Sequence, residues 1–339
     1  VFVALDNLPG GALLSVWVAP DASKAYLAGG YLGVDPANLA DRNAAGRLMR
    51  YSQGRFETVC RTPNVLWWVT AIGTTVWASG ENGTVLRYTE GGMCESLDIG
   101  GMYPMGKPTL WGILAQSATE VRFVGGSPLP DGPRGVLLLY DGARFVQETI
   151  PAPARAFNLY KISQDSAGLT VVGANAVILR RTNAGATWET QSVTGLGADN
   201  TLFTVSCVTG GTCAAVGGAG AGQVLFRRMD QWSVDPISAT VAGLSGVWLD
   251  RENRGFVVGR NGTTLFYNGT DFYRPPTNTT INSLHAVHGS ATLVMAVGGE
   301  LDTPLPTQRG TVLLRGETRT EFVFDGVTVR AVGSARPNL

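Results

Sequence analysis

Few residues in this chain are placed to do chemistry. Its two histidines, His285 and His288, lie three positions apart in the short apolar run LHAVHG. A run of that length reads as a strand, and on a regular strand residues i and i+3 point to opposite faces. The pair therefore cannot share one metal ion, and structural roles are expected for both. The segment DPANLADRN at 35–43 carries acids without the spacing of a calcium loop. No Ser/His/Asp set, P-loop, EF-hand or CxxC motif occurs. The expectation is a non-enzyme with no catalytic residues, no metal and no cofactor.

The four cysteines are better placed. Cys207 and Cys213 flank VTGGT, a glycine-containing turn between two strand-like runs, and the ends of a hairpin come close enough for a disulfide. Cys60 and Cys94 each fall late in a repeat unit, where outer strands of neighbouring units could meet. Two disulfides imply an oxidising compartment; the alternative is four buried thiols. Asn82, Asn261, Asn268 and Asn278 open N-x-T sequons. The first three coincide with turns that already call for Asn-Gly, so Asn278 is the expected glycan acceptor in a host that glycosylates.

Charge excludes one broad class. Lys+Arg and Asp+Glu are both 26, and only Lys24, Lys107 and Lys161 are lysines. A balanced chain lacks the basic field of a general nucleic-acid binder. No apolar run reaches the 18 to 20 residues of a membrane-spanning helix. The chain begins at Val1 without a signal peptide, so either a targeting segment has been removed or this is part of a longer protein.

The elements that position these residues recur. GTVLRY at 83–88 returns as GRLMRY (46–51), GVLLLY (135–140), GQVLFR (222–227), GTTLFY (262–267) and GTVLLR (310–315), with NAVILR at 175–180. Turn formers bound each run of Val, Leu and Thr, which is a strand signature. A second apolar strand precedes each copy and ends in glycine at 29, 80, 125, 173, 217, 259 and 298. The intervals approach the roughly 40–45 residues of a WD-type propeller blade. A third strand lies upstream and a fourth downstream, so each unit has strands A to D, inner to outer. The 45 glycines and 44% apolar content suit many tight turns around a large core. The expected fold is all-β: a seven-bladed β-propeller of four-stranded antiparallel blades, forming one domain over 1–339. Blades are expected near 11–60, 61–100, 101–150, 151–195, 196–236, 237–276 and 277–324. Either 1–6 or a segment within 320–333 would close the ring.

TNAGATW at 182–188 resembles the Asp box of BNR-repeat propellers, with Asn183 in the Asp position and Gly185, Thr187 and Trp188 matching. LSGVWLDRENRGFVVGRNGTTLFYNG at 244–269 is similar to the repeat of the photosystem II assembly factor-like group and of bacterial surface propellers. The resemblance spans about 11–316 and implies a scaffold that holds a partner. A sialidase-like site would need several arginines and a tyrosine nucleophile. RTP at 61–63 resembles the first arginine motif of sialidases but follows the first unit, and seven units disagree with that family's six.

Trp17, Trp68, Trp111 and Trp248 are read as equivalent packing residues of strand A. The Tyr or Arg that ends strand C is read as an apolar stem with a polar tip. Loop growth is one-sided. The connection between strands B and C lengthens at 31–45, 127–134 and 300–309, always on one face, and binding is commonly placed on such loops. The contacts expected with a protein partner are Tyr31, Asp35, Asp41, Arg42, Glu300, Asp302 and Arg309. The reading is a non-catalytic binding scaffold, secreted, periplasmic or on the cell surface. The alternatives are a carbohydrate-binding or sialidase-like protein and a structural subunit of an extracellular assembly.

Overall fold

The computed structural model describes residues 2–33, 45–104, 106–185, 187–197, 199–301 and 308–332. Among these residues the strands form seven sheets, each carrying a four-stranded antiparallel meander or its closed equivalent, which is a seven-bladed β-propeller. The innermost strands A are Ala12–Val18, Leu66–Ile72, Thr109–Ser117, Leu159–Asp165, Leu202–Cys207, Leu244–Leu249 and Leu284–Gly289. No helix is long and apolar enough to cross a membrane among the described residues.

The core is not one central mass. It lies in layers between adjacent blades, because each sheet is apolar on both faces. Leu48 and Tyr26 of the first blade pack on Val69, Leu86 and Tyr88 of the second. Trp77 and Val85 of the second pack on Phe123 and Leu138 of the third. Each blade is thus stable only between two neighbours, and the ring must be shut.

Phe2–Leu8 shuts it. This strand pairs antiparallel with Gly310–Arg315 as the outer strand of the seventh blade. Gly10 and Gly11, at φ 93° and 89°, then turn the chain directly into strand A of the first blade at Ala12. A Cβ on Gly11 would lie 2.1 Å from the Gly30 carbonyl oxygen, so no other residue fits the turn. The pairing breaks register between Leu5 and Leu8, and this bulge carries Asp6. The Asp6 carboxylate accepts from Thr280 Oγ1 at 3.1 Å, Asn282 Nδ2 at 3.2 Å and Thr311 Oγ1 at 3.0 Å.

The other candidate closing segment takes a different place. Glu321–Phe324 runs parallel to Arg55–Thr62 at the outer edge of the first blade, and Val327–Arg330 pairs behind it. A seventh blade drawn to residue 324 therefore includes a strand that belongs to the first. Phe322 and Phe324 bury their rings against Phe56, and the Asp325 carboxylate accepts from the Thr58 amide and hydroxyl. Val193–Thr194 likewise leaves the fourth blade, pairing parallel with Gln231–Val234 of the fifth.

Both disulfides form. Cys207–Cys213 closes the hairpin between strands A and B of the fifth blade, and Cys60–Cys94 joins the outer strands of the first and second. The polar tips of strand C act near the turns. Tyr140 Oη donates to the Gly142 carbonyl at 2.9 Å and Tyr267 Oη to Gly269 at 2.7 Å. Arg180 and Arg227 instead converge on the buried Asp165 between blades four and five.

Asp6→Ala would strip three donors of their acceptor at the ring joint. The expected loss is about 2 kcal/mol, read as a lower urea midpoint with an unchanged slope.

Candidate functional site

One irregularity recurs in every blade. The pairing of strand A with strand B skips a residue just after the leucine that recurs in each blade: between Leu13 and Ser15, Leu66 and Trp68, Leu110 and Gly112, and Leu159 and Lys161. The same skip falls between Leu202 and Thr204, Leu244 and Gly246, and Leu284 and Ala286. A bulge of this kind turns its extra side chain away from the pleat. The bulged residues are Leu14, Trp67, Trp111, Tyr160, Phe203, Ser245 and His285. All seven line a single chamber of about 760 Å³ in the central channel.

The chamber is largely aromatic. Trp111, Tyr160 and Phe203, from three successive blades, form a continuous arc with ring centroids 5.0 and 5.5 Å apart. Its rim comes from residues just past the glycine that ends strand B: Glu81, Ala219, Arg260, Asn261, Glu300 and Leu301. These sit on the face of the B–C connections. Burial pushes the Glu81 carboxyl upward from its ordinary range. Asn82 and Gly83, and again Asn261 and Gly262, are both left-handed, as a tight hairpin requires. A Cβ on Gly262 would lie 1.8 Å from the Thr280 carbonyl oxygen.

Three positions further along strand A, seven more side chains line a narrower chamber of about 230 Å³: Trp17, Thr70, Leu114, Ser163, Ser206, Trp248 and His288. Trp68 and Thr204 border both chambers. This ring also fastens blade to blade. Ser163 Oγ accepts from the Cys207 amide at 3.0 Å, Ser206 Oγ from Leu249 at 3.0 Å, and His288 Nδ1 from Val18 at 3.0 Å. His288 lies between Trp17 and Trp248, at 6.3 and 5.9 Å between centroids. Burial, helped by the nearby Lys161 charge, draws its pKa down to about 3. It is a neutral acceptor.

Two expectations change. The bulge breaks the simple alternation of the strand, so His285 and His288 both reach the channel wall, one in each chamber. His285 Nε2 is 3.0 Å from the Gly299 carbonyl. The four tryptophans are not equivalent: Trp111 is a bulge residue, Trp68 follows a bulge, and only Trp17 and Trp248 match. Aligning every strand A on its leucine would have exposed the column of bulged aromatics.

Three of the expected contact residues fall within the described residues. Glu300 lines the rim, Tyr31 is half-buried at the start of its loop, and Arg309 is exposed. Asp35, Asp41, Arg42 and Asp302 lie outside the described residues. The long connections of blades one and seven do meet: Leu32 donates its amide to Gln308 Oε1 at 2.8 Å, and Gln308 Nε2 donates to the Leu32 carbonyl at 3.0 Å. Asn278 is exposed and donates its amide to the Asn261 carbonyl at 2.7 Å. In the Asp-box-like turn, Asn183 donates to the Ser166 carbonyl at 2.8 Å rather than to its own turn. Trp188 is buried and donates to Glu148 at 2.7 Å.

Asp165, Cys207 and Cys213 gather their ligand-type atoms within 4.8 Å. The cluster is spent otherwise, since both sulfurs are in a disulfide and the carboxylate is held by Arg180 and Arg227.

No protein-family profile matches the chain, and no curated protein matches it. Solved structures do. The likeness is one of fold. YCF48 bound to D1 peptide superposes with a TM-score of 0.65 at 14% identity, covering 94% of this chain and 97% of that one. YCF48 from Cyanidioschyzon merolae gives 0.64 at 13%, covering 92% and 98%. The WD40 propeller domain of Doa1 gives 0.62 at 13%, covering 93% and 97%.

His288 contributes a definite pH dependence. Its folded pKa lies below its unfolded value of 6.5. The associated stability is complete above that value and is lost as pH falls toward about 3. His288→Ser keeps an acceptor for Val18, as in blades four and five, and removes the titration. The variant should be less stable than wild type at neutral pH, yet lose less stability on acidification, as read by denaturant unfolding.

Proposed function

We propose that this propeller is a non-catalytic binding scaffold whose aromatic chamber receives an apolar segment of a protein partner. One observation carries the reading: all seven bulged side chains, four of them aromatic, converge on a single chamber at the face where the connections lengthen. Aromatic surface delivers large contact area at low entropic cost, which is how peptide anchors are commonly held. The rim supplies both signs of charge through Glu81, Glu300 and Arg260. Tyr31, Asp35, Asp41, Arg42, Asp302 and Arg309 are proposed to touch the partner outside the chamber. That one similar propeller was solved with a peptide agrees with this use of the fold.

A sialidase-like reaction is disfavoured by the lining. It calls for several arginines on the substrate carboxylate, and Arg260 is the one arginine among the described lining residues. The two disulfides support a place in an oxidising compartment, secreted, periplasmic or at a cell surface.

Selection from a displayed peptide library should return segments with apolar anchors. Trp111→Ala and Tyr160→Ala should each weaken the selected peptides by about tenfold, or 1.4 kcal/mol, with little change in melting temperature. Unchanged affinity in both variants would reject the chamber as the site. Deleting residues 34–43 should weaken a folded partner and leave thermal stability nearly unchanged. A glycan array positive where the peptide library is silent would move the chamber to carbohydrate.

A further inference from the structure

The lower chamber holds one lysine, Lys161, without a carboxylate partner among the described residues. Lys161 follows the bulge in strand A of the fourth blade, and its Nζ lies 2.8 Å from the centroid of a Trp68 ring two blades away. At Gly112 of the intervening third blade a Cβ would lie 2.6 Å from the Tyr160 carbonyl oxygen and 3.0 Å from Lys161 Cα, so the two inner strands approach closely there. The other two lysines are paired, Lys24 with Glu90 and Lys107 with Asp98. Lys161 has no carboxylate partner among the described residues, and no Asp or Glu lines its chamber.

Ser163, Ser206 and His288 of the same wall are also donors. Ser163 and Ser206 use their oxygens to accept backbone amides from the next blade, which leaves each hydroxyl proton free to donate. His288 accepts at Nδ1, so its proton sits on Nε2. Thr204 is already committed, donating to the Ser245 carbonyl at 2.6 Å. Three tryptophans, Trp17, Trp68 and Trp248, supply apolar wall.

We propose that this chamber binds a small monoanionic carboxylate, its oxygens on Lys161 and the serine hydroxyls and its alkyl body against the tryptophans. One cation among neutral donors matches one negative charge; a phosphate dianion would leave charge unbalanced in a low-dielectric site. Burial draws the Lys161 ammonium well below the ordinary lysine range, and an adjacent carboxylate is the change that would restore it. The site is distinct from the peptide-binding reading of the upper chamber, and its test needs no peptide to succeed. The carboxylate comes either from a free small acid or from the terminus of a chain entering through the upper chamber.

With only three lysines in the sequence, selective carbon-13 labelling at lysine Cε resolves Lys161 directly. Sodium acetate should move the Lys161 resonance saturably and raise its pKa, while Lys24 and Lys107 stay still and acetamide does nothing. Saturation-transfer signal on the acetate methyl should disappear in Lys161→Met. An unmoved Lys161 resonance overturns the proposal, as does an equal response to acetamide or to sodium chloride. So does a folded Lys161→Met variant that still binds acetate. Trialanine carrying a free C-terminus is compared with its C-terminal amide. Tighter binding than acetate, lost in the amide, identifies a chain terminus as the source; binding no tighter than acetate identifies a free acid.

Discussion

Each sheet of this protein is apolar on both faces, and that single constraint organises the rest. A blade cannot be stable with one face in water, so seven blades must stand in a closed circle. Closure falls to Phe2–Leu8, clasped to the seventh blade by Asp6 through Thr280, Asn282 and Thr311. Once the circle is shut, the inner strands have no freedom to move apart. The channel they enclose becomes a fixed cavity, and side chains aimed into it are held in place by the whole ring.

What aims them is a bulge repeated in every inner strand. It places one set of side chains in a wide chamber on the face of the long connections. The next inward-facing set lines a narrow one. The two sets do different work. The upper ring offers aromatic surface with few obligations to the fold. Part of the lower ring ties adjacent blades together through Ser163, Ser206 and His288. Substitutions in the upper ring therefore carry a small cost to stability, whereas those in the lower ring disturb the contacts between blades.

The blade pattern could be read from residues because it is local: glycine at the end of strand B, turn formers before strand C, and alternating apolar runs between them. The bulge could not, since a skipped residue in a short apolar strand leaves the hydrophobic pattern intact. That is why Trp68 and Trp111 look equivalent to Trp17 and Trp248 in the sequence. Ring closure was ambiguous for a different reason. Phe2–Leu8 and Glu321–Phe324 are both good strands, and the contacts that separate them, Asp6 to Thr280 and Phe324 to Phe56, join residues at opposite ends of the chain. The meeting of Lys161 with Trp68, two blades away, is a conjunction visible only in space.

The bridge between Cys60 and Cys94 fastens the rims of two adjacent blades across 34 positions of sequence. Most of the second blade lies inside that covalent loop. A protease that cuts once within it severs the backbone but leaves both fragments attached through sulfur. Damage there would be invisible on a non-reducing gel, and the two fragments would stay tethered for re-pairing.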